Sequence, residues 1–292
     1  MPVRTYTAFG LTVASDLALA GFVATEPTVP PDVVVRTGPV EAGHDGAQHV
    51  GARADGVLSA TIRDGRDLLV EVSPAADPKY ASAVITGELF SVVLRQRGLL
   101  VLHGSAVARD GVAIGFVGDS GWGKSTLAAT LIKRGWRLLT DDLLVVDHLG
   151  TDRTPTAIPT HPMMRLSREA AERLDEGEGR GQAHAQTPKL RVDHQAAFSK
   201  APAELSRIWV LDPRLADDHE SVDLSPLQAV HELVRHTRGK RLLVSDPFKA
   251  SLLNQCADLV KRTPVQALRR RFGLEHVPSL CDFVESNIAR ST

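Results

Sequence analysis

The pattern of apolar and polar positions changes character near residue 80. Before that point, short β-leaning runs alternate with turns rich in Gly, Pro and Asp, at 6–13, 32–36, 57–62 and 68–72. Beyond it, apolar residues between Val84 and Leu94 recur at helical spacing, which predicts a helix that ends near Gly98. We therefore expect a β-rich N-terminal part, residues 1–79, packed against a larger domain of residues 80–292.

A strand–loop–helix–strand pattern follows. It predicts strands over 99–108 and 112–117, a glycine-rich loop over 118–123, a helix over 124–134 and a single strand over 138–146. This order is typical of a βαβ unit, so the predicted fold class is α/β. Further predicted elements are helices over 167–174, 227–236, 249–261 and 280–290, and a strand over 208–211.

The glycine-rich loop is the first candidate for chemistry. It fits the pattern G-x-x-x-x-G-K-[S/T] with the residues Gly118, Asp119, Ser120, Gly121, Trp122, Gly123, Lys124 and Ser125, and Thr126 continues into the helix. Glycines let successive N–H groups point at phosphate oxygens, and the helix N-terminus adds partial positive charge. We expect this segment to bind ATP, with Lys124 at the β- and γ-phosphates and the Ser125 hydroxyl on Mg²⁺.

Three further polar residues accompany the loop. Asp141 and Asp142 precede an apolar run, where a carboxylate can bind Mg²⁺ or accept a proton from a substrate hydroxyl; the alternative is a solvated acidic turn. Two adjacent carboxylates also repel, which is expected to raise one pKa toward the range useful for a base. His103 lies in an otherwise apolar strand and is either a core histidine or a residue that faces a ligand.

Composition narrows the class of protein. Lys and Arg number 34 against 35 Asp and Glu, a net charge of −1, and aromatic residues are 4%; both argue against a nucleic-acid-binding protein. Cys256 and Cys281 lack zinc-site spacing and are expected to be buried thiols. No apolar stretch has the length of a membrane span or a signal peptide, so we expect a cytoplasmic protein without membrane contact.

Four segments of the chain carry a resemblance to a known family. The chain resembles the catalytic domain of HPr(Ser) kinase/phosphorylase in His103-Gly104, the loop 118–125, Arg134-Gly135-Trp136-Arg137-Leu138 and Asp141-Asp142. The spacings of 21 residues from His103 to Lys124 and 18 from Lys124 to Asp142 agree with that family. The resemblance implies that these three residues are catalytic, that Asp142 takes the proton of a serine hydroxyl, and that Ser125 binds Mg²⁺. Asp141 and Asp142 are added as candidate metal ligands because acidic residues beside a phosphate loop can bind the ion.

The resemblance also implies an architecture for residues 80–292, namely the P-loop kinase core shared with phosphoenolpyruvate carboxykinases. The close match covers residues 100–147. The family's Glu-Arg-Gly-Leu-Gly-type segment, which is tied to phosphorolysis, has no counterpart after Asp142. The whole chain is similar to HPr-kinase-like proteins of peptide-modification clusters, which share the opening Tyr6-x-x-Phe9-Gly10-Leu11 and the ending Pro264-Val265-x-x-Leu268-Arg269-Arg270. Some of those proteins phosphorylate a serine of a lasso-peptide precursor.

Basic residues after position 150 supply candidates for a cation on the transferring phosphoryl group. We consider Arg191, Lys189 and Arg165, each against the alternative of a surface cation, and predict Arg191 to be catalytic. A second basic group surrounds His236 and is interpreted as a solvated helix end, with an anion contact or an adenine-side contact as the alternative; its members are Arg235, Arg238, Lys240 and Arg241. Arg269, Arg270 and Arg271 are interpreted as surface charge.

The predicted function is ATP- and Mg²⁺-dependent transfer of the γ-phosphoryl group to a serine hydroxyl of a peptide or small protein, with a lasso-peptide precursor as one candidate. Two alternatives stay open. One is a kinase for a small-molecule hydroxyl such as free serine, and the other is a regulatory module that binds nucleotide without turnover. Because related kinases are hexameric, a homo-oligomer also stays open.

Overall fold

The computed structural model describes residues 3–27, 30–40, 45–46, 49–148, 154–175, 181–182, 187–240, 242 and 245–289. The strands are β1 Arg4–Ala8, β2 Leu11–Ser15, β3 Val23–Ala24, β4 Val33–Thr37, β5 Asp45–Gly46, β6 His49–Ala54, β7 Leu58–Arg63, β8 Asp67–Val72, β9 Leu100–Arg109, β10 Val112–Val117, β11 Arg137–Thr140, β12 Leu143–Asp147, β13 Thr156–Ile158, β14 Met163–Leu166, β15 Gly181–Gln182, β16 Leu190–Asp193, β17 Ala203–Leu215, β18 Glu220–Asp223 and β19 Val265–Arg270. The helices are α1 Pro78–Val84, α2 Phe90–Gln96, α3 Lys124–Lys133, α4 Arg168–Arg173, α5 Pro226–Arg235, α6 Asp246–Arg262 and α7 Val277–Ala289. A π-helical turn, Ile85–Leu89, joins α1 to α2.

The first eight strands form one sheet in the order β3-β1-β2-β4-β8-β7-β6-β5. Alternate side chains such as Val13, Val33 and Ile62 are fully buried, as expected for a sheet with one face on a core. Helix α2 covers that face through Phe90, whose ring stacks on Phe9 with centroids 5.8 Å apart. The buried cluster beneath the sheet therefore includes residues beyond position 80. The domain boundary between residues 79 and 80 stays a prediction.

The single strand predicted over 6–13 is wrong, because the chain reverses within it. Phe9 and Gly10 both have positive φ, 58° and 70°, which is the backbone of a two-residue hairpin turn between β1 and β2. The reversal places Tyr6 and Val13 opposite each other on the buried face. The apolar pattern was compatible with either arrangement, and the glycine at the turn decides between them.

A second sheet carries the glycine-rich loop. Its order is β10-β9-β12-β13-β17-β19-β18, and β11 pairs with β9. Since β9 is antiparallel to both β10 and β11, those two strands run parallel with β9 between them, and α3 connects them. Strand β17 pairs in parallel with β10 and with β19. The expected βαβ connection is present, and the mixed α/β fold class is confirmed.

The strand predicted over 138–146 is divided into β11 and β12. The break lies at Asp141 and Asp142, and Asp142 has a φ of 84°, in the left-handed region that few residues other than glycine adopt. Strand β11 pairs with β9 near Ala106, whereas β12 pairs with it at His103. Continuous burial on both sides of the break hides it from the apolar pattern. The corner directs two carboxylates toward the loop.

The remaining predicted elements are confirmed with small differences at their ends. Helices α4 to α7 match the four predicted helices, and residues 208–211 are the centre of the longer strand β17. Cys256 on α6 and Cys281 on α7 are fully buried free thiols, and burial raises the pKa of each to about 12. Within the described ranges, no helix is both long enough and apolar enough to traverse a bilayer.

Candidate active site

The glycine-rich loop connects β10 to the first turn of α3. Gly118, Gly121 and Gly123 have φ values of 150°, 89° and 87°, a backbone that side-chain-bearing residues rarely adopt. A Cβ added at Gly118 would lie 3.2 Å from the Cβ of Leu211, so the loop also lies close against β17. These positions require glycine for the same reason that a phosphate-binding loop does, namely freedom of the backbone to wrap around an anion.

Lys124 folds back over the loop. Its Nζ donates to the carbonyl oxygens of Gly118 and Asp119 at 2.6 and 2.9 Å. The residue is only 6% exposed, and this burial lowers the pKa of its ammonium group to about 8. A bound phosphate would offer the ammonium a full negative charge in place of two carbonyl dipoles.

Asp141 is the hydrogen-bond acceptor at the centre of the site. Its buried carboxylate receives the hydroxyls of Ser125 at 2.7 Å and Ser105 at 2.6 Å on the same oxygen, Oδ1. The backbone N–H of Arg165 donates to the other oxygen at 2.9 Å. Ser105 is a site residue that was not predicted from the sequence, although it lies two residues after His103 on a strand and therefore shares that face.

Ser125 and Asp141 fit a magnesium ion that arrives with a nucleotide. No cluster of three or more His, Cys, Asp and Glu side chains suited to a metal ion occurs in the described part of the chain. Mg²⁺ in phosphate-transferring sites is held by one or two carboxylates together with substrate phosphates, so a dedicated protein cage is not required. The adjacent Ser125 and Asp141 oxygens are the donor types that Mg²⁺ prefers.

Asp142 is surrounded by basic side chains. Its carboxylate lies 3.2 Å from His103 Nδ1 and 3.2 Å from an Arg238 Nη2, and it forms an ion pair with Arg165. Burial by itself raises the pKa of Asp142, but Arg165, Arg238 and His103 outweigh it and hold the pKa well below its ordinary value. The raised pKa expected for one of the two adjacent carboxylates is therefore not found at Asp142. Ser125 contacts Asp141 rather than Asp142, so the metal role of Asp142 stays a prediction.

His103 faces Asp142 from strand β9. Its backbone N–H donates to the carbonyl of His236 at 2.6 Å, which fixes the strand at this point. At the next residue, a Cβ added to Gly104 would lie 2.6 Å from the carbonyl oxygen of Phe116. Gly104 therefore lets β9 and β10 approach closely enough to bring His103 beside the loop. Of the two alternatives for His103, the structure favours a residue that faces the cleft.

A cleft of about 210 Å³ brings most of these residues together. It is lined by His103, Ser120, Lys124, Ser125, Asp141, Asp142, Arg165, Thr187, Lys189 and Arg238. Two of the three candidate cations, Lys189 and Arg165, line this cleft. Arg238, which the sequence analysis grouped with a solvated helix end or an anion contact, reaches Asp142; the signal was its place in a cluster of basic residues.

Arg191 lies on the other side of Asp142. It is paired with Arg165 across strands β14 and β16, and it lines a smaller pocket with Asp142, His161 and Lys79. Burial, and then Arg165, lower the pKa of Arg191. Burial also lowers the pKa of His161 to about 4. The predicted catalytic cation is thus placed beside Asp142, in a different pocket from Lys124.

Two of the other basic residues contact the glycine-rich loop. Arg235 forms an ion pair with Asp119 of the loop at 2.6 Å, and Arg241 lies outside the described residues. Arg270, predicted as surface charge, is only 8% exposed and donates to the carbonyl of Trp122 in the loop. The prediction for Arg270 is wrong, because the end of β19 passes directly beside the loop.

Comparison with known proteins finds similar segments in HPr kinase/phosphorylases. The chain is 37% identical over 60 residues to the enzyme of Caldanaerobacter subterraneus (20% of each chain), 44% over 59 residues to that of Chlorobium phaeobacteroides (20% of this chain, 17% of the other) and 46% over 61 residues to that of Lachnoclostridium phytofermentans (21% and 19%). The chain thus matches no more than about a fifth of the length of these relatives. No protein-family model matches it.

Among solved structures, the HPr(Ser) kinase/phosphatase of Coxiella burnetii aligns over 65% of this chain and 97% of its own, with 12% identity and a TM-score of 0.35. The similar segments in the curated enzymes confirm the resemblance to an HPr-kinase-like family.

Proposed function

We propose that this protein is an ATP- and Mg²⁺-dependent kinase that transfers the γ-phosphoryl group to a serine hydroxyl of a peptide or small protein. The observation that carries the proposal is the shared cleft, in which Lys124, the Ser125–Asp141 pair and Asp142 line one space. Phosphate binding, metal binding and proton acceptance are the three tasks of phosphoryl transfer. The residues for these tasks lie on the first turn of α3 and at the corner between β11 and β12.

The loop and Lys124 would bind the triphosphate. Gly123 and Lys124 begin helix α3, whose N-terminal N–H groups favour an anion. Lys124 would exchange its two carbonyl acceptors for phosphate oxygens, and Ser125 and Asp141 would hold the metal. When bound, Mg²⁺ supplies charge neutralisation to the phosphates.

Asp142 would orient the acceptor and take its proton. The serine Oγ forms a bond to the γ-phosphorus, the bond from that phosphorus to the β–γ bridging oxygen breaks, and ADP leaves. The hydroxyl proton passes to the Asp142 carboxylate. A carboxylate with a low pKa is a weak base, yet transfer through a loose transition state requires little deprotonation before the bond forms. We therefore assign Asp142 chiefly an orienting role.

The two arginines on Asp142 would also serve the transferring group. Arg165 and Arg238 contact the carboxylate and line the cleft, so their charge lies between acceptor and donor. Positive charge at that place stabilises the oxygens of the group in transfer. The sequence analysis chose Arg191 for this task, and its place in the neighbouring pocket suits an acceptor contact instead.

The acceptor is proposed to be a peptide or small protein in the cytoplasm, with a lasso-peptide precursor as the first candidate and a homo-oligomer as the working assembly. A specific observation favours a second candidate, a kinase for a small hydroxyl compound. The pocket on the far side of Asp142 is small and is bounded by Gly21 of the N-terminal part and Thr86 of the π-helical turn. An acceptor seated there would approach Asp142 from the side opposite Arg238.

Transfer of phosphate to defined acceptors tests the proposal. Purified protein is incubated with ATP and Mg²⁺, and with a serine-containing precursor peptide, the same peptide with Ala for Ser, or free serine, followed by mass spectrometry. Phosphorylation of the serine peptide alone supports the first candidate, and phosphorylation of free serine supports the second. If ATP binds and no acceptor is modified, the protein is a nucleotide-binding regulatory module and the proposal is wrong.

A further inference from the structure

A second pocket opens on the opposite side of the glycine-rich loop. It measures about 280 Å³, close to the lower end of the range for small-molecule sites, roughly 300 Å³. Its lining comes from loop residues Gly121, Trp122 and Gly123, from Thr126 and Leu127 on α3, and from the segment 270–280. Leu211 on β17 and Ser167 and Glu169 at the start of α4 complete it. No residue of this lining belongs to the cleft around Asp142. The loop therefore separates two recesses.

The wall of this pocket is fastened to the loop. Arg270, at the end of β19, donates to the carbonyl of Trp122 and, at 3.2 Å, to the carbonyl of Asp212. Burial lowers the pKa of Arg270, with Asp212 opposing that effect. The guanidinium thus ties the loop, the end of β17 and the start of the 270–280 segment into one unit. A ligand bound to the loop would meet a pre-formed wall.

An exposed aromatic ring lines the pocket. Phe272 is 66% exposed, and the other large apolar side chains exposed in the described ranges are Val3, Leu227 and Leu253. An aromatic ring left in water beside an apolar recess offers a face on which a planar base can stack. Gly273 follows with a φ of 129°, a backbone that allows the Glu275 side chain to fold across it. The carboxylate of Glu275 also lines the pocket and can accept a hydrogen bond from an amino group of a base.

The order of groups along the loop sets the direction of a bound triphosphate. Lys124 and Ser125 line the Asp142 cleft, so the terminal phosphate and its metal belong on that side. The loop N–H groups hold the inner phosphates, and the next residue, Thr126, lines the second pocket. Thr126 therefore gives the remainder of the donor a path from the loop into the second pocket.

We infer that the pocket beside Thr126 binds the nucleoside of the phosphate donor, with the base stacked on Phe272. This inference rests on the proposed function, since it assumes a nucleoside triphosphate on the loop. It adds a specificity determinant at a distance from the transferred group. Phe272 selects donors that carry an aromatic base over inorganic polyphosphates, which fill the loop and leave the pocket empty.

Binding measurements on the full chain test the assignment. Isothermal titration with ADP and with inorganic tripolyphosphate is carried out on the wild-type protein and on Phe272→Ala, Phe272→Tyr and Leu227→Ala. Leu227 is the matched control because it is also an exposed large apolar residue, 81% exposed, and lies on helix α5 outside the pocket. Loss of one stacked base is expected to weaken ADP binding by about tenfold in Phe272→Ala. Tripolyphosphate binding stays unchanged in every variant, and Phe272→Tyr and Leu227→Ala bind ADP as the wild type does.

Two results overturn the inference. If Phe272→Ala binds ADP with wild-type affinity, the pocket does not hold the base, and phosphate transfer from ATP by the same preparation shows that the proposed function still stands. If the wild type binds neither ATP nor ADP, the proposed function fails and the pocket assignment fails with it. Because Phe272 is exposed, its replacement by alanine is not expected to unfold the protein. Phe272→Tyr keeps an aromatic ring at this position and therefore separates loss of stacking from other effects of substitution.

Discussion

Ser125 and Asp141 are joined by a hydrogen bond of 2.7 Å from the serine Oγ to the aspartate Oδ1. Ser105, on strand β9, donates its hydroxyl to the same oxygen at 2.6 Å. One carboxylate oxygen thus connects the helix that follows the glycine-rich loop with the strand that carries His103. The two serines make matched contacts, but only Ser125 is assigned to the metal, so they can be separated by experiment.

Substitution of each serine by alanine is expected to give different phenotypes. Ser125→Ala removes a metal ligand and should raise the Mg²⁺ concentration for half-maximal transfer by about tenfold or more. Ser105→Ala removes a buried hydrogen bond and should lower the free energy of unfolding by about 1–2 kcal/mol, with an unchanged Mg²⁺ requirement. Metal titration of the transfer rate and urea unfolding measure the two quantities. Equal Mg²⁺ requirements in the two variants would contradict the assignment.

Asp142→Asn is expected to abolish most of the transfer while ATP binding remains. Loss of the carboxylate that orients the acceptor hydroxyl and receives its proton reduces the rate by about 10²–10⁴. ATP affinity should stay equal or rise, because Arg165 and Arg238 lose an anionic partner and become available to phosphate. Initial rates and titration calorimetry check the two parts. Asp110→Asn is the control, since Asp110 also has positive φ (53°) and lies exposed in a turn. A transfer rate of Asp142→Asn equal to that of the wild type would contradict the role assigned to Asp142.

Binding of ATP to the free protein should weaken in alkaline solution. The phosphates bind the protonated form of Lys124, and burial lowers its pKa to about 8. Above that pH the lysine must take up a proton on binding, so the dissociation constant should rise by up to about tenfold per pH unit, and it should be nearly flat below about pH 7. Calorimetry between about pH 7 and pH 10 measures it. Lys124→Met should bind ATP weakly, and its dissociation constant should not rise above about pH 8. A rise of equal size in that variant would show that another group is responsible for the pH dependence.

Gly104→Ala should destabilise the fold at the site. The new Cβ would meet the carbonyl oxygen of Phe116 at 2.6 Å, and crowding of this kind costs about 1–3 kcal/mol. Gly87→Ala is the matched control, because its Cβ would lie 3.8 Å from Asp142 Oδ2, an ordinary contact, so we expect a change of less than about 1 kcal/mol. Urea unfolding compares the two. Equal stability of both variants would show that β9 and β10 can separate without loss.

The phosphate loop could be predicted from the sequence because its chemistry is local. Glycine positions, the lysine and the flanking strand and helix all lie within one short segment, and the structure places them as expected. The carboxylates were also found, since they follow the next strand. The environment of the carboxylates was not predicted, because the arginines that contact Asp142 come from distant segments of the chain. Arg165 lies on β14, and Arg238 lies in the turn after α5.

The division of β11 from β12 shows why such contacts escape a sequence reading. Residues 138–141 and 143–146 are buried on both sides of Asp142, so periodicity gives no sign of a corner there. Arg270 was missed for a related reason, since a run of three arginines is usually solvent-exposed, and only the pairing of β19 with β17 brings Arg270 to the loop. In both cases the position of the residue depends on strand pairing between segments that are distant in the sequence, of β11 and β12 with β9 and of β19 with β17.

The left-handed backbone at Asp142 limits which residues can occupy that position during evolution. Apart from glycine, aspartate and asparagine are the residues that tolerate this conformation, so most other side chains would force the corner to rearrange. A lineage that abandons transfer but keeps the fold is thus steered toward Asn or Gly at this position. In related chains with the same corner, that single letter would separate sequences equipped to accept a proton from those that retain only the scaffold.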